Sequence, residues 1–324
     1  MLERFSFKRF IFTLKPEEEL SLPEFKGTTL RGGFGAQFRR IVCLKKDLPE
    51  CSACPLKKVC VYSYIFETSP PETSEKLRNI RNIPRPFVIE PPDDTKRIYT
   101  SEDNLTFSLT LIGKAVDYLP YFIFTFKELG EKGLGKGRKK YRLDRIETSS
   151  DHSGSSLKTI YNRKDDTLCD FTEPQTIDSL LKARKLNNLN QITLAFLTPT
   201  RIRLNDKFIT DPEFQHIIRA LLHRISALSY FHCGEELKVD YRGLIKKSED
   251  IEKVHSNLQW KDIERYSMRQ NTRMKMGGFV GKATFMGSLE DFLSFLFLGE
   301  QIHIGKSCTF GLGKYLIGID NPIL

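Results

Sequence analysis

The sequence predicts an α+β fold built twice, as two tandem ferredoxin-like domains. Three observations carry that expectation. Period-two and period-3.6 apolar runs follow one another as strand, helix, strands, helix, strand, and the order occurs twice. The tetrapeptide Gly133-Leu134-Gly135-Lys136 returns as Gly311-Leu312-Gly313-Lys314, late in each half. A length of 324 residues suits about two domains. The expected division is 1–148 for the first domain, 149–187 for a connecting segment and 188–324 for the second.

In the first half, Arg4 to Leu14 alternates apolar and polar residues and reads as a strand. Thr28 or Thr29 is expected to cap a helix running to about Leu44, with Leu30, Phe34, Phe38 and Ile41 on one face. Gly32, Gly33 and Gly35 weaken its start. A cysteine-rich insertion follows at 43–60. Ser69 to Pro92 holds six prolines and reads as a connection. Leu105 to Ala115 is a strand, Leu119 to Leu129 a helix ending at Gly130, and Tyr141 to Ile146 another strand.

Ser149 to Ser156 is polar and reads as a loop. Leu189 to Leu197 is a strand that ends at Thr198-Pro199. Asp211-Pro212-Glu213 starts a helix whose stripe is Phe214, Ile217, Ile218, Leu221, Leu222, Ile225 and Leu228. Phe279 to Met286 is a strand. Ser288 and Asp291 resemble a capping box for a helix to Leu298. The tail, with a glycine-rich loop at 305–313, is expected to form a last hairpin or strand pair.

A net charge of +10 points to an anionic partner, while mixed charge at 28% excludes a disordered basic tail. Glu3, Arg4, Lys8 and Arg9 break any signal-peptide pattern, and no apolar run nears the roughly 20 residues of a membrane span. The expectation is a cytoplasmic protein without membrane contact, as monomer or homodimer. Of seven cysteines, four are spaced Cys43-x7-Cys51-x2-Cys54-x5-Cys60. Two thiolates on a C-x2-C knuckle and two flanking ones suit a tetrahedral structural zinc, with an iron–sulfur cluster as the alternative. Unligated thiols or one disulfide form the competing reading, and no cofactor is expected for catalysis.

Glycine-rich loops with exposed amides and a lysine suit phosphate. Neither loop is a nucleotide P-loop. Gly130-x4-Gly135-Lys136 is followed by Gly137 rather than Ser or Thr, and Gly299 lies one position too far from Gly305-Lys306-Ser307. Nucleotide hydrolysis is therefore excluded. Two basic runs flank glycine turns: Lys136, Arg138, Lys139, Lys140 and Arg142, then Arg265, Arg269, Arg273 and Lys275. The candidate phosphate contacts are Lys136, Arg138, Lys139, Lys140, Arg269, Arg273, Lys275, Gly305, Gly311 and Gly313. The doubled topology is also that of RNA-recognition modules, hence RRM-like.

Several segments together resemble the CRISPR-associated repeat-processing endoribonucleases of the RAMP superfamily. They are the tail Ile302-His303-Ile304-Gly305 through Tyr315, Ser267-Met268-Arg269-Gln270 leading to Met276-Gly277-Gly278-Phe279-Val280-Gly281, and Leu30-Arg31-Gly32-Gly33-Phe34-Gly35 with Cys51-Ser52-Ala53-Cys54-Pro55-Leu56. Phe66-Glu67 and Gly133 to Arg138 also fit. The resemblance implies tandem ferredoxin-like domains that bind CRISPR repeat RNA and cut it once per repeat into guide RNAs. It implies metal-independent attack by a 2′-hydroxyl, leaving a 2′,3′-cyclic phosphate and a 5′-hydroxyl. A non-catalytic RNA-binding subunit of a CRISPR effector complex is the alternative. Many members carry a catalytic histidine on or near the first helix, and no residue between Phe25 and Cys60 is histidine here. His303 in Gln301-Ile302-His303-Ile304 is the expected acid or base, with Lys306 and Arg31 as the catalytic cations and Tyr62 and Tyr64 as weaker candidates.

Overall fold

The computed structural model describes residues 2–48, 50–68, 83–149, 156–171, 173–182, 189–267 and 272–318, with the backbone alone at 265–267 and 273. The chain divides into two units. One comprises Arg4–Gln175 and Ala227–Glu235; the other comprises Met1–Glu3, Thr176–Ser226 and Glu236–Leu324.

The first unit contains β1 (Ser6–Pro16), α1 (Gly27–Val42), β2 (Phe87–Glu90), β3 (Leu105–Ile112), α2 (Leu119–Lys132), β4 (Tyr141–Ser149) and β5 (Leu157–Asn162). Its antiparallel sheet runs β2-β3-β1-β4-β5. Phe12 sits opposite Phe107 on β3 and Ile146 on β4. Phe10, Phe12 and Leu14 are fully buried, and the rings of α1 and α2 close over the sheet. Phe34 stacks on Phe122 with centroids 4.6 Å apart and on Phe126 at 5.1 Å. Such aromatic burial is the main source of cohesion here.

Neither threonine caps α1. The residue at its N-terminus is Lys26, and Thr28 instead donates to the Phe25 carbonyl. Lys26 is fully buried because Asp94 takes its ammonium through Oδ1 at 2.6 Å and through its carbonyl at 2.7 Å. Burying an ammonium is costly unless it is paired in this way. Ser229–Cys233, a turn of π-helix, belongs to this unit. There, buried His232 has Pro84 O at 2.9 Å from Nε2 and Tyr64 Oη at 3.3 Å from Nδ1.

The second unit contains β6 (Gln191–Thr200), α3 (Phe214–Leu228), β7 (Glu252–Lys261), β8 (Gly278–Met286), α4 (Glu290–Ile302) and β9 (Tyr315–Gly318). Its sheet runs β7-β8-β6-β9, all antiparallel. Counted from each unit's first strand, both sheets share the order second, third, first, fourth within a β-α-β-β-α-β succession. Phe196 marks the centre, opposite Gly281 on one side and Tyr315 on the other. Beyond β7 the hairpin continues as Glu264–Ser267 paired with Thr272–Lys275, which carries the second basic run.

Two expectations fail in the tail. Ser288 does not cap α4; the residue at that end is Leu289, and Asp291 pairs with Lys247 at 2.6 Å. The helix does not stop at Leu298 but continues to Ile302, so Gln301 and Ile302 are helical and no final hairpin forms among the described residues; the tail's strand, β9, pairs with β6 instead. Gly299 does not end it because its place is fixed by packing. A Cβ there would lie 2.2 Å from Tyr315 Oη.

Candidate nucleic-acid interface

The second glycine loop begins where α4 ends. Arg224 on α3 donates to the Ile302 carbonyl from Nε at 3.1 Å and from Nη2 at 2.8 Å, taking up a helix-terminal acceptor. His303 then turns the chain with φ +63°. Ile304 N–H donates to Gly313 O at 3.0 Å, Lys306 N–H to Arg201 O at 3.0 Å, and Gly313 N–H to Pro199 O at 3.2 Å. Thr198 completes the lock, donating from Oγ1 to Gly311 O at 2.8 Å and accepting from Lys314 N–H at 2.9 Å. Gly313 has φ +76°, and a Cβ there would lie 1.9 Å from Ile304 O.

These bonds correct the amide-cradle expectation. The N–H groups of Ile304, Lys306, Phe310, Gly311, Gly313 and Lys314 all donate within the unit. Gly311 and Gly313 are buried, and Gly305 is half-buried against Arg201. The glycines let the loop fold on itself, while Lys306 is exposed.

His303 also lies apart from its expected place. It is fully buried, and its Nδ1 is 3.1 Å from Leu312 O. The imidazole ties the loop together from within, because the helical path to Ile302 directs it inward rather than along a strand face. The exposed imidazole near Lys306 is His223 on α3. Desolvation by the surrounding residues, although the side chain is exposed at its surface, and then the charges of Lys306 and Arg224 push its pKa below the ordinary histidine value. His223 is a residue that the sequence reading missed. Its signal was that it lies outside the apolar stripe, one residue before Arg224.

The first glycine loop is built differently at its tip. Leu134 and Lys139 exchange backbone bonds, 2.9 Å and 3.0 Å, and Lys136 N–H reaches Ser21 O at 3.4 Å. Lys136, Gly137 and Arg138 are exposed. Lys139 faces Glu18 at 3.4 Å, Lys140 N–H donates to Glu18 at 2.8 Å, and Arg142 lies 3.7 Å from Glu17. The Lys140 amide and then the Lys139 side chain hold the Glu18 carboxyl below its usual range. The side chains of Lys136, Arg138 and Lys140 have no ion-pair partner among the described residues, and Lys136 and Arg138 stand at the exposed tip.

Arg31 is half-buried, its guanidinium 4.9 Å from the Phe66 ring centroid. Tyr62 is buried and stacks on the same ring at 5.4 Å, and burial raises its pKa. Lys275 is exposed, 3.9 Å from Asp262. Arg269, like His152, lies outside the described residues, as does the Arg273 side chain.

The cysteine knuckle forms one tight turn, with Cys54 N–H donating to Cys51 O at 3.1 Å. Burial raises the Cys51 pKa, and the neighbouring charges of Glu67, Cys60 and Cys43 push it the same way. Among the described residues, no three His, Cys, Asp or Glu side chains stand close enough together to hold a metal ion.

Comparison with known proteins follows the same division. Residues 194–315 match the family model of the CRISPR-associated endoribonuclease Cas6, and residues 5–173 match the N-terminal domain model AF_1859_N. The second half of the chain is thus similar to the Cas6 family, and the first half to the AF_1859_N domain. A Cas6 product complex shares the fold over 96% of this chain and 99% of its own, with a TM-score of 0.58 at 18% identity. Thermus thermophilus Cas6 does so over 97% and 98%, with a TM-score of 0.54 at 18% identity. An uncharacterized protein of Archaeoglobus fulgidus is 28% identical over 91% of this chain and 92% of its own. The match to the Cas6 endoribonuclease model supports binding or processing of CRISPR repeat RNA. No helix among the described residues is long and apolar enough to cross a membrane.

Proposed function

We propose that the protein binds CRISPR repeat RNA and cuts precursor transcripts into guide RNAs. A ribose 2′-hydroxyl attacks the adjacent phosphate, leaving a 2′,3′-cyclic phosphate and a 5′-hydroxyl. One observation carries the chemical part of this reading: the exposed His223 precedes Arg224, whose guanidinium holds the Ile302 carbonyl at the start of the loop that presents the exposed Lys306. The lowered pKa keeps His223 neutral near pH 7, the form that accepts a proton from the 2′-hydroxyl. Lys306 would stabilise the charge developing on the phosphate oxygens. Lys136 and Arg138 would hold the strand elsewhere through its phosphates.

The test uses repeat RNA in EDTA, beside the same RNA with a 2′-deoxy nucleotide at the cut. Cleavage of the first and survival of the second is the expected result. His223→Ala should slow cleavage by about 10²-fold, the scale of a lost general base. A second reading, a binding subunit that does not cut, is favoured by the burial of His303 and by the lack of histidine in Gly27–Val42. It predicts tight binding with both RNAs intact.

A further inference from the structure

Directly after β6 the chain makes a small hairpin. Arg203 pairs with Phe208 and Leu204 with Lys207 across a two-residue turn, Asn205-Asp206. Both turn residues have positive φ, +47° and +63°, as the twist of a tight hairpin demands. Two guanidiniums share one ring: Arg201 stands 4.5 Å and Arg203 5.6 Å from the Phe208 centroid. The backbone of Lys306 is fixed alongside, since its N–H donates to Arg201 O and Gly305 bridges to Arg201. Gly305 permits this approach, as a Cβ there would meet Arg201 O at 2.5 Å.

The cluster lacks matching negative charge. Arg201 has no ion pair among the described residues, and its buried Nε has no hydrogen-bond partner among them. Arg203 has Asp206 at 3.6 Å, but that carboxylate is 95% exposed and water screens the pair. Burial, then the charge of Arg203, lowers the Arg201 pKa, and only Asp262 opposes them. Like charges held together, one with a buried idle donor, form a site that an anion completes.

We propose that Arg201, Arg203 and Lys306 clamp the phosphates of an RNA strand, with Phe208 as the spine that holds the guanidiniums in place. The inference rests on the repeat-RNA reading and adds a contact to it. Guanidiniums stacked on a ring are pre-oriented for phosphate oxygens. Because phosphates carry no sequence, the clamp should grip any RNA.

The test measures binding of the full chain to repeat RNA and to a scrambled RNA of equal length over a range of salt. Arg203 is exposed, so Arg203→Glu should fold as the parent does while binding both RNAs at least about tenfold more weakly. The double variant Arg201→Ala, Arg203→Ala should flatten the plot of log affinity against log salt by about 1.4, at about 0.7 per lost phosphate. Phe208→Leu, which keeps every charge, should weaken both RNAs about threefold, the scale of an exposed cation–π contact. Parent-like affinity and slope in Arg203→Glu would overturn the clamp, and so would a loss confined to the repeat sequence. If the parent binds neither RNA, the repeat-RNA reading itself fails and the clamp falls with it.

Discussion

Gly133-Leu134-Gly135-Lys136 and Gly311-Leu312-Gly313-Lys314 are the same four residues with positive φ at the same two places, but Gly133 has ψ 151° where Gly311 has ψ 9°. Their glycines take φ +85° and +73° in the first, +84° and +76° in the second. Both leucines are buried, at 2% and 0% exposure. The lysines differ: Lys136 is exposed, whereas Lys314 is buried and its amide is held by Thr198. The tetrapeptide therefore encodes a turn that plugs a leucine into a core. Whether it also offers charge is decided by the residues after it, an exposed Gly137-Arg138 tip in one case and β9 in the other.

The sharpest break between the loops should come from alanine at their later glycines. Gly313→Ala drives a Cβ into Ile304 O and should destabilise its unit by about 4 kcal/mol, measured by chemical unfolding. At Gly137 a Cβ would touch only the Lys139 side chain at 3.7 Å, so only the positive φ matters and about 1 kcal/mol is expected. Equal losses would mean that the two loops are equally free. Next, Leu134→Ala and Leu312→Ala should each cost about 3 kcal/mol, testing the feature that the loops share. A small loss in either would remove the common plug.

Smaller still, Lys136→Ala with Arg138→Ala should leave unfolding unchanged while weakening RNA binding about tenfold and reducing the salt slope by about 1.4. His303→Ala should cost about 1 kcal/mol of stability through its contact with Leu312, and any loss of cleavage should track that instability. Full stability with cleavage abolished would return His303 to a chemical role. The least effect is electrostatic. Lys306→Ala should raise the His223 titration midpoint toward its ordinary value, read by NMR, and Lys136→Ala should not move it. His216 and His223 both have depressed pKa values, so the stability gained by keeping them neutral is present above the ordinary histidine value. It is lost as pH falls through their folded values.

Elements with a dominant apolar face were legible in the sequence. Phe10, Phe12 and Leu14 announced β1, and the stripe from Phe214 to Leu228 announced α3. β7 was not, because it is an edge strand exposed over most of its length, and Glu252-Lys253-Val254-His255-Ser256-Asn257 has no buried face to mark it. His303 was misjudged because the helix was expected to end at Leu298, and only the packing of Tyr315 against Gly299 explains why it runs on to Ile302. The arginine pair was invisible for another reason. Phe208 reads as one apolar residue in a polar turn until the hairpin folds it under Arg201 and Arg203. The thiol spacing gave a plausible ligand set, but spacing alone cannot specify distances between side chains.

The segment Ala227–Glu235 bears on the order in which the protein is made. It completes the first unit, where His232 packs on Tyr64 and Pro84 and its carbonyl would lie 2.1 Å from a Cβ at Gly113. A nascent chain that has emerged only to Gln175 therefore lacks part of its own first unit, and that part arrives after β6 and most of α3 have been synthesised. Vectorial folding, with the first domain finished before the second begins, is closed to this chain. The first unit must wait, incompletely packed, while the ribosome delivers about fifty more residues of its neighbour at roughly 5–20 residues per second.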